Sequence, residues 1–107
     1  MIDATELRTL IETYERYGWQ LRRLAAHDTA TADAFGLVNV PISVGVTDAA
    51  WFSRPPTDGE VAWEIRYLGT TQYALVEHLD ENSPDFEDKL HRTEQRLADA
   101  VAAKRKA

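Results

Sequence analysis

Cysteine is absent from the 107 residues, which excludes disulfides and thiolate metal sites together. Long apolar runs are missing too. The longest, near Val38–Val46, is interrupted by Asn39, Pro41 and Ser43 and falls well short of the roughly 20 residues a membrane span needs. The opening Met1-Ile2-Asp3 has neither the basic nor the apolar region of a secretory signal. The expectation is a cytoplasmic protein with no membrane partner. The glycines number only five and are scattered, so no phosphate-cradling loop is formed and no nucleotide cofactor is expected. Ser43, Ser53 and Ser83 lack the glycine context of a nucleophile elbow.

Basic residues are scarce in the middle of the chain. Residues 27–83 hold nine acidic side chains against Arg54 and Arg66 alone, and the formal net charge of the whole is −6. Such a surface repels phosphate backbones and suits another protein. Nucleic-acid binding through Arg16, Arg22 and Arg23 is therefore disfavoured.

What the chain does have is periodicity. Asp3 and Glu6 stand at capping-box spacing, with Ile2 and Leu7 as a hydrophobic staple. Leu7, Leu10, Ile11, Tyr14, Tyr17, Leu21 and Leu24 then recur at three- and four-residue steps, which predicts one helix over residues 3–26. Gly18 falls inside it, at a close packing contact or a kink. A loop follows to about Asp33. Alternation of Val38, Val40, Ile42, Val44 and Val46 predicts a strand that Pro41 and Gly45 demote to an edge or a bulge. Its partner, within the chain or in a second copy, stays open.

Ala50–Arg54, Val61–Leu68 and Gln72–Leu79 read as three further strands, joined by turns at Pro55–Gly59 and Gly69-Thr70-Thr71. A three-residue loop pairs Tyr67 with Tyr73, Ile65 with Leu75 and Val61 with Leu79, which segregates the apolar side chains but leaves Glu77 opposite Trp63. A two-residue loop would mix the faces. Ser83-Pro84 opens a closing helix whose stripe is Phe86, Leu90, Thr93, Leu97, Ala100 and Val101. The expected fold is α+β, one α-β-β-β-β-α domain over residues 1–107. Its four-stranded sheet is an antiparallel meander with both helices on one face.

Candidates for chemistry are few. The acidic cluster Glu77, Asp80, Glu81, Asp85, Glu87 and Asp88 fails the calcium-loop pattern, with Asp85 sixth and His91 twelfth from Asp80, and fits a helix N-terminus instead. His27, His78 and His91 have no metal-ligand spacing, so no metal is expected. Glu64, Arg66 and His78 share a strand face, where a general base could converge with an oxyanion stabiliser or, more simply, cross-strand charges pair. Trp19 points away from the apolar stripe among charges, as an interface residue or beneath a covering loop. Because Trp51 and Phe52 are adjacent in one strand, one of them should lie on the uncovered face.

Two functions follow. The first is a non-catalytic protein-binding module, homodimeric, using Trp19, Trp51 or Phe52, Glu64, Arg66 and His78 on the open sheet face. In size, charge and element order the chain is similar to secretion-chaperone-like and immunity-type modules, a likeness that implies binding of a protein. The second is a small-molecule binder or weak enzyme, with Tyr14, Tyr17, Trp63, Tyr67 and Tyr73 lining one pocket between helices and sheet.

Overall fold

A computed structural model describes residues 4–34, 40–54, 61–69 and 71–106. The elements run α1 (Ala4–Arg16), β1 (Gln20–Ala26), α2 (Thr29–Ala34), β2 (Ile42–Val44), β3 (Ala49–Arg54), β4 (Val61–Tyr67), β5 (Ala74–Leu79) and α3 (Phe86–Lys106). The class is α+β, with one five-stranded sheet in the order β2-β1-β3-β4-β5. It is mixed: β1 and β2 are parallel, and every other pair is antiparallel. The capping box at Asp3, the start of the valine alternation at Val38, the turn at Pro55–Gly59 and Thr70 lie outside the described residues. Among the described residues, no helix is long and apolar enough to cross a membrane.

The expected helix over residues 3–26 is two elements, and Gly18 divides them. Gly18 has φ +88°, a backbone state open to glycine and costly for other residues. Its N–H donates to the Glu15 carbonyl at 3.1 Å, and the Trp19 N–H donates to the Tyr14 carbonyl at 3.0 Å. These two bonds are the paired closure of a Schellman cap. The accompanying apolar contact is Trp19 edge-on to Tyr14, with centroids 6.3 Å apart. Gly18 is thus a helix stop, where the sequence suggested a packing glycine or a kink.

After the stop the chain enters the middle of the sheet. The β1–β3 register slips between Leu21 and Arg23, leaving Arg22 as an extra residue. Leu21 and Leu24 therefore face the same side although three residues apart, and Arg22 and Arg23 both face the other. The crossover from β1 to β2 carries α2, with Asp28 accepting the Thr31 N–H at 2.8 Å at its start. That carboxylate bond holds the Asp28 pKa below its ordinary value.

The two long helices lie on opposite faces of the sheet, not on one. On the α1 side, Leu7, Leu21, Leu24, Ala50, Phe52 and Leu68 form one core, joined by Leu10, Ile11 and Tyr14. On the α3 side, Trp51, Trp63, Ile65, Leu79, Phe86, Leu90 and Leu97 form the other. Strand alternation makes this necessary. Trp51 and Phe52 must point to opposite faces, and each is 0% exposed. Neither contributes an aromatic to an uncovered face.

The β4–β5 register matches the three-residue-loop expectation, with Val61 opposite Leu79, Ile65 opposite Leu75 and a 2.9 Å bond from Tyr67 N–H to the Tyr73 carbonyl. Glu77, opposite Trp63, is neutralised by Arg96 of α3. The valine alternation narrows to the three residues of β2, an edge strand paired within the chain. Val44 and Val46 are more than half exposed there.

Candidate functional site

On the α1 side the helix covers β1 and β3 but leaves β4 and β5 largely open. Ala74, Val76 and His78 of β5 are exposed, and Ala62, Glu64 and Arg66 of β4 are half-buried. The ladder sets Ala62 opposite His78, Glu64 opposite Val76 and Arg66 opposite Ala74. Val76, 54% exposed, thus sits at the middle of the open half-face.

Where α1 meets this half-face two shallow clefts lie end to end, sharing Thr13. One, about 240 Å³, is lined by Thr13, Tyr14, Tyr17, Trp19 and Glu64. The other, about 360 Å³, includes Thr9, Leu10, Arg66 and Tyr67. Tyr17 is 68% exposed, and half-buried Trp19 lies under the Arg54 guanidinium, 5.3 Å from its ring centroid. Trp19 is therefore not fully exposed.

Tyr14 ties helix to strand. Its ring stacks on Phe52 with centroids 3.9 Å apart, and its hydroxyl donates to a Glu64 carboxylate oxygen. Burial, reinforced by Glu64 and partly offset by Arg66, pushes the Tyr14 pKa up to about 12. At neutral pH it is a fixed donor. Of the three residues Glu64, Arg66 and His78, the first two come together at the Tyr14 hydroxyl. His78 stands exposed opposite Ala62.

The expected aromatic pocket is split by the sheet. Tyr14 and Tyr17 lie on the α1 side, while Trp63, Tyr67 and Tyr73 pack with the α3 core. The Tyr67 ring folds back over Gly69 at the hairpin end, where a Cβ would collide with it. The α1-side cleft that holds Tyr14 and Tyr17 falls below the roughly 300 Å³ where small-molecule sites begin, and the 360 Å³ cleft beside it holds only Tyr67 of the expected set.

Arg22 and Arg23 are committed elsewhere. Arg22 reaches Glu81 at 2.6 Å and the Ser53 hydroxyl at 3.0 Å, with its guanidinium 4.8 Å from the Trp63 ring centroid. Arg23 forms a fork on Glu87, both bonds 3.0 Å. That fork is the main reason the Glu87 carboxyl titrates below its ordinary range. Asp85 is likewise held low, chiefly by the Ser83 hydroxyl, which donates to it instead of capping α3. Much of the acidic cluster is thus absorbed structurally. Among the described residues no group of three or more His, Cys, Asp or Glu is placed to hold a metal.

Comparison with protein-family models, curated proteins and solved structures gives no match. Function must therefore be argued from the surface itself.

Two features escaped the sequence reading. Glu94 is buried on α3, accepting the Trp51 indole N–H at 3.1 Å with His91 Nδ1 3.6 Å away. A glutamate one residue after the stripe position Thr93 gives no such signal. The second is a row of cations on α3 along β5. Arg96 pairs with Glu77, and Lys89 lies 3.5 Å from Asp85. Further along, Lys104 Nζ lies 5.7 Å from the Tyr73 ring centroid.

Proposed function

We propose that this protein is a non-catalytic protein-binding module that self-associates through the open half-face of β4 and β5. The observation that carries the reading is Val76, more than half exposed opposite Glu64, with Ala74 and His78 beside it and Ala62 and Arg66 diagonally across. An apolar centre with a charged rim is the composition of an interface.

A second copy is the occupant favoured by charge. Glu64 and Arg66 are two residues apart on one strand face, so a two-fold axis between them sets each against its opposite in the partner. Size sets a further condition. Six residues at about 3.3 Å across two strands about 4.8 Å apart give a footprint of only about 200 Å². A stable dimer buries roughly 800 Å² per partner. The interface must therefore run onto the clefts along α1 and engage Tyr17 and Trp19.

Sedimentation velocity across a dilution series tests this. The wild type is expected to dimerise, and both Arg66→Glu and Val76→Asp to weaken the dimer roughly tenfold or more while remaining folded. A monomeric wild type, or two variants that associate as it does, would remove this surface.

A further inference from the structure

Among the described residues β5 is an edge strand of the sheet, and its ladder identifies which backbone groups point outward. The Tyr67–Tyr73 pair is hydrogen-bonded at 2.9 Å. Alternation along an antiparallel ladder then makes Ile65–Leu75, Trp63–Glu77 and Val61–Leu79 the bonded pairs. The N–H and C=O groups of Ala74, Val76 and His78 face away from β4. The opposite edge, β2, is only three residues long.

α3 runs antiparallel along this edge, since Lys104 reaches the Gln72 carbonyl, Arg96 pairs with Glu77, and Lys89 lies near Leu79. Lys89, Arg92 and Arg96 follow one another at three- and four-residue steps on the flank of α3 beside its buried stripe. With Glu77, His78 and Leu79 they line a cleft of about 280 Å³ under that flank. Set against Asp85 on Lys89 and Glu77 on Arg96, the three cations leave this strip net positive by one in a chain of net charge −6.

We infer that the β5 edge accepts an extended acidic segment of another protein as a sixth strand. Main-chain bonds to Ala74, Val76 and His78 supply pairing, and alternate acidic side chains reach the Lys89–Arg92–Arg96 row. Lys89 to Arg96 spans about 10 Å at 1.5 Å per helical residue. Acids two residues apart on a strand are separated by about 6.6 Å, so two of them fit beneath three long cations. The intervening side chains lie beside Val76 on the open half-face and are apolar. Arg96 is exposed on the side away from Glu77, so its guanidinium can take an incoming carboxylate while keeping Glu77. A second copy fits this edge poorly. Antiparallel β5–β5 pairing about a two-fold normal to the sheet puts both α3 helices on one face, with their cationic rows facing each other.

This inference rests on protein binding at β4–β5 but not on self-association, and the two are read separately. The probe is a fluorescein-labelled decapeptide alternating glutamate with valine, followed by anisotropy. Its counterpart with glutamine for glutamate is the control. Saturable binding to the wild type is expected, weakened at least tenfold by the glutamine probe, by Arg92→Glu and by Val76→Pro. Proline at Val76 removes an outward N–H and none of the bonds to β4, so its circular dichroism and Tm should stay close to wild type. If that variant does not fold, His78→Pro makes the same deletion. Lack of saturation by about 1 mM wild type would overturn the inference, as would undiminished binding by a folded proline variant. Equal affinity for a labelled oligonucleotide would reduce the strip to a polyanion surface and overturn it too. Sedimentation of the same samples reports the dimer independently.

Discussion

Replacing Gly18 by alanine changes stability with opposite sign in the two conformations this stretch could adopt. In a continuous helix over residues 3–26, alanine for an interior glycine would stabilise by roughly 0.5–1 kcal/mol. In the cap observed, φ is +88°, and a Cβ there meets nothing within 4 Å, so the whole effect is backbone conformation. Holding an L-residue in the left-handed region costs roughly 1–2 kcal/mol. Alanine recovers about 0.4–1 kcal/mol by stiffening the unfolded chain, leaving a net loss near 1 kcal/mol. Relaxing φ to negative values is no cheaper. It would break the bonds from Gly18 and Trp19 to the Glu15 and Tyr14 carbonyls, at about 1 kcal/mol each. In a domain of this size a 1 kcal/mol loss lowers Tm by about 4–8 °C. Urea unfolding should give a lower midpoint with unchanged slope, and Gly18→Asn should fall between, because asparagine tolerates this conformation. Alanine at or above wild-type stability would refute the cap and, with it, the assignment of residues 20–26 to the sheet.

Two further outcomes can be measured on the same protein. Glu94→Ala should cost about 1–3 kcal/mol in chemical denaturation, because the buried Trp51 indole loses its acceptor, whereas Glu94→Gln keeps an acceptor and most of the stability. His27 has Nδ1 2.8 Å from Asp48 and Nε2 3.1 Å from Asp28, and the Asp48 bond chiefly raises its pKa above 6.5. Folding thus favours the protonated ring. Its stabilisation is complete below the unfolded pKa and is lost as pH rises through the folded one. NMR titration of the His27 ring should show the raised midpoint, and Asp48→Asn should bring it back toward 6.5.

The parts of the fold legible in the sequence were those whose pattern is local. The β4–β5 register followed from apolar residues at a two-residue period, and β3 was placed to within one residue of Ala49–Arg54. β1 was hidden by its own bulge. A regular strand sets residues two apart on one face, but the extra Arg22 sets Leu21 and Leu24 three apart, which is a helical spacing. Gly18 was the available signal, read as an interior glycine when glycine after a helix more often closes it. The sandwiching of the sheet was also written in the chain. The run Ala49-Ala50-Trp51-Phe52 is apolar on both strand faces, and a strand with one wet face alternates. Helix length was harder to judge, because the tertiary pairing of β1 between β2 and β3 overrides good helix formers such as Leu21, Arg22 and Ala25.

Net charge misled about the candidate surface for a related reason. The acids around the β5–α3 connection are drawn across the α3 face to β1, where Glu81 and Glu87 meet Arg22 and Arg23. Two of the chain's cations and two of its acids are thereby consumed on one side of α3. The cations on the opposite flank keep fewer counter-charges, Glu77 on Arg96 and Asp85 beside Lys89. An acidic sequence thus presents a basic row along its β5 edge. The sum over residues 27–83 had pointed to an acidic surface, because it counted charges by position in the chain and not by which face of the sheet they meet. The bulge at Arg22 decides that sorting. With regular alternation onward from Leu21, Arg22 would keep to the α3 side but Arg23 would turn to the α1 side, away from Glu87. A single irregularity in β1 is thus what brings both arginines to the acids of the β5–α3 connection.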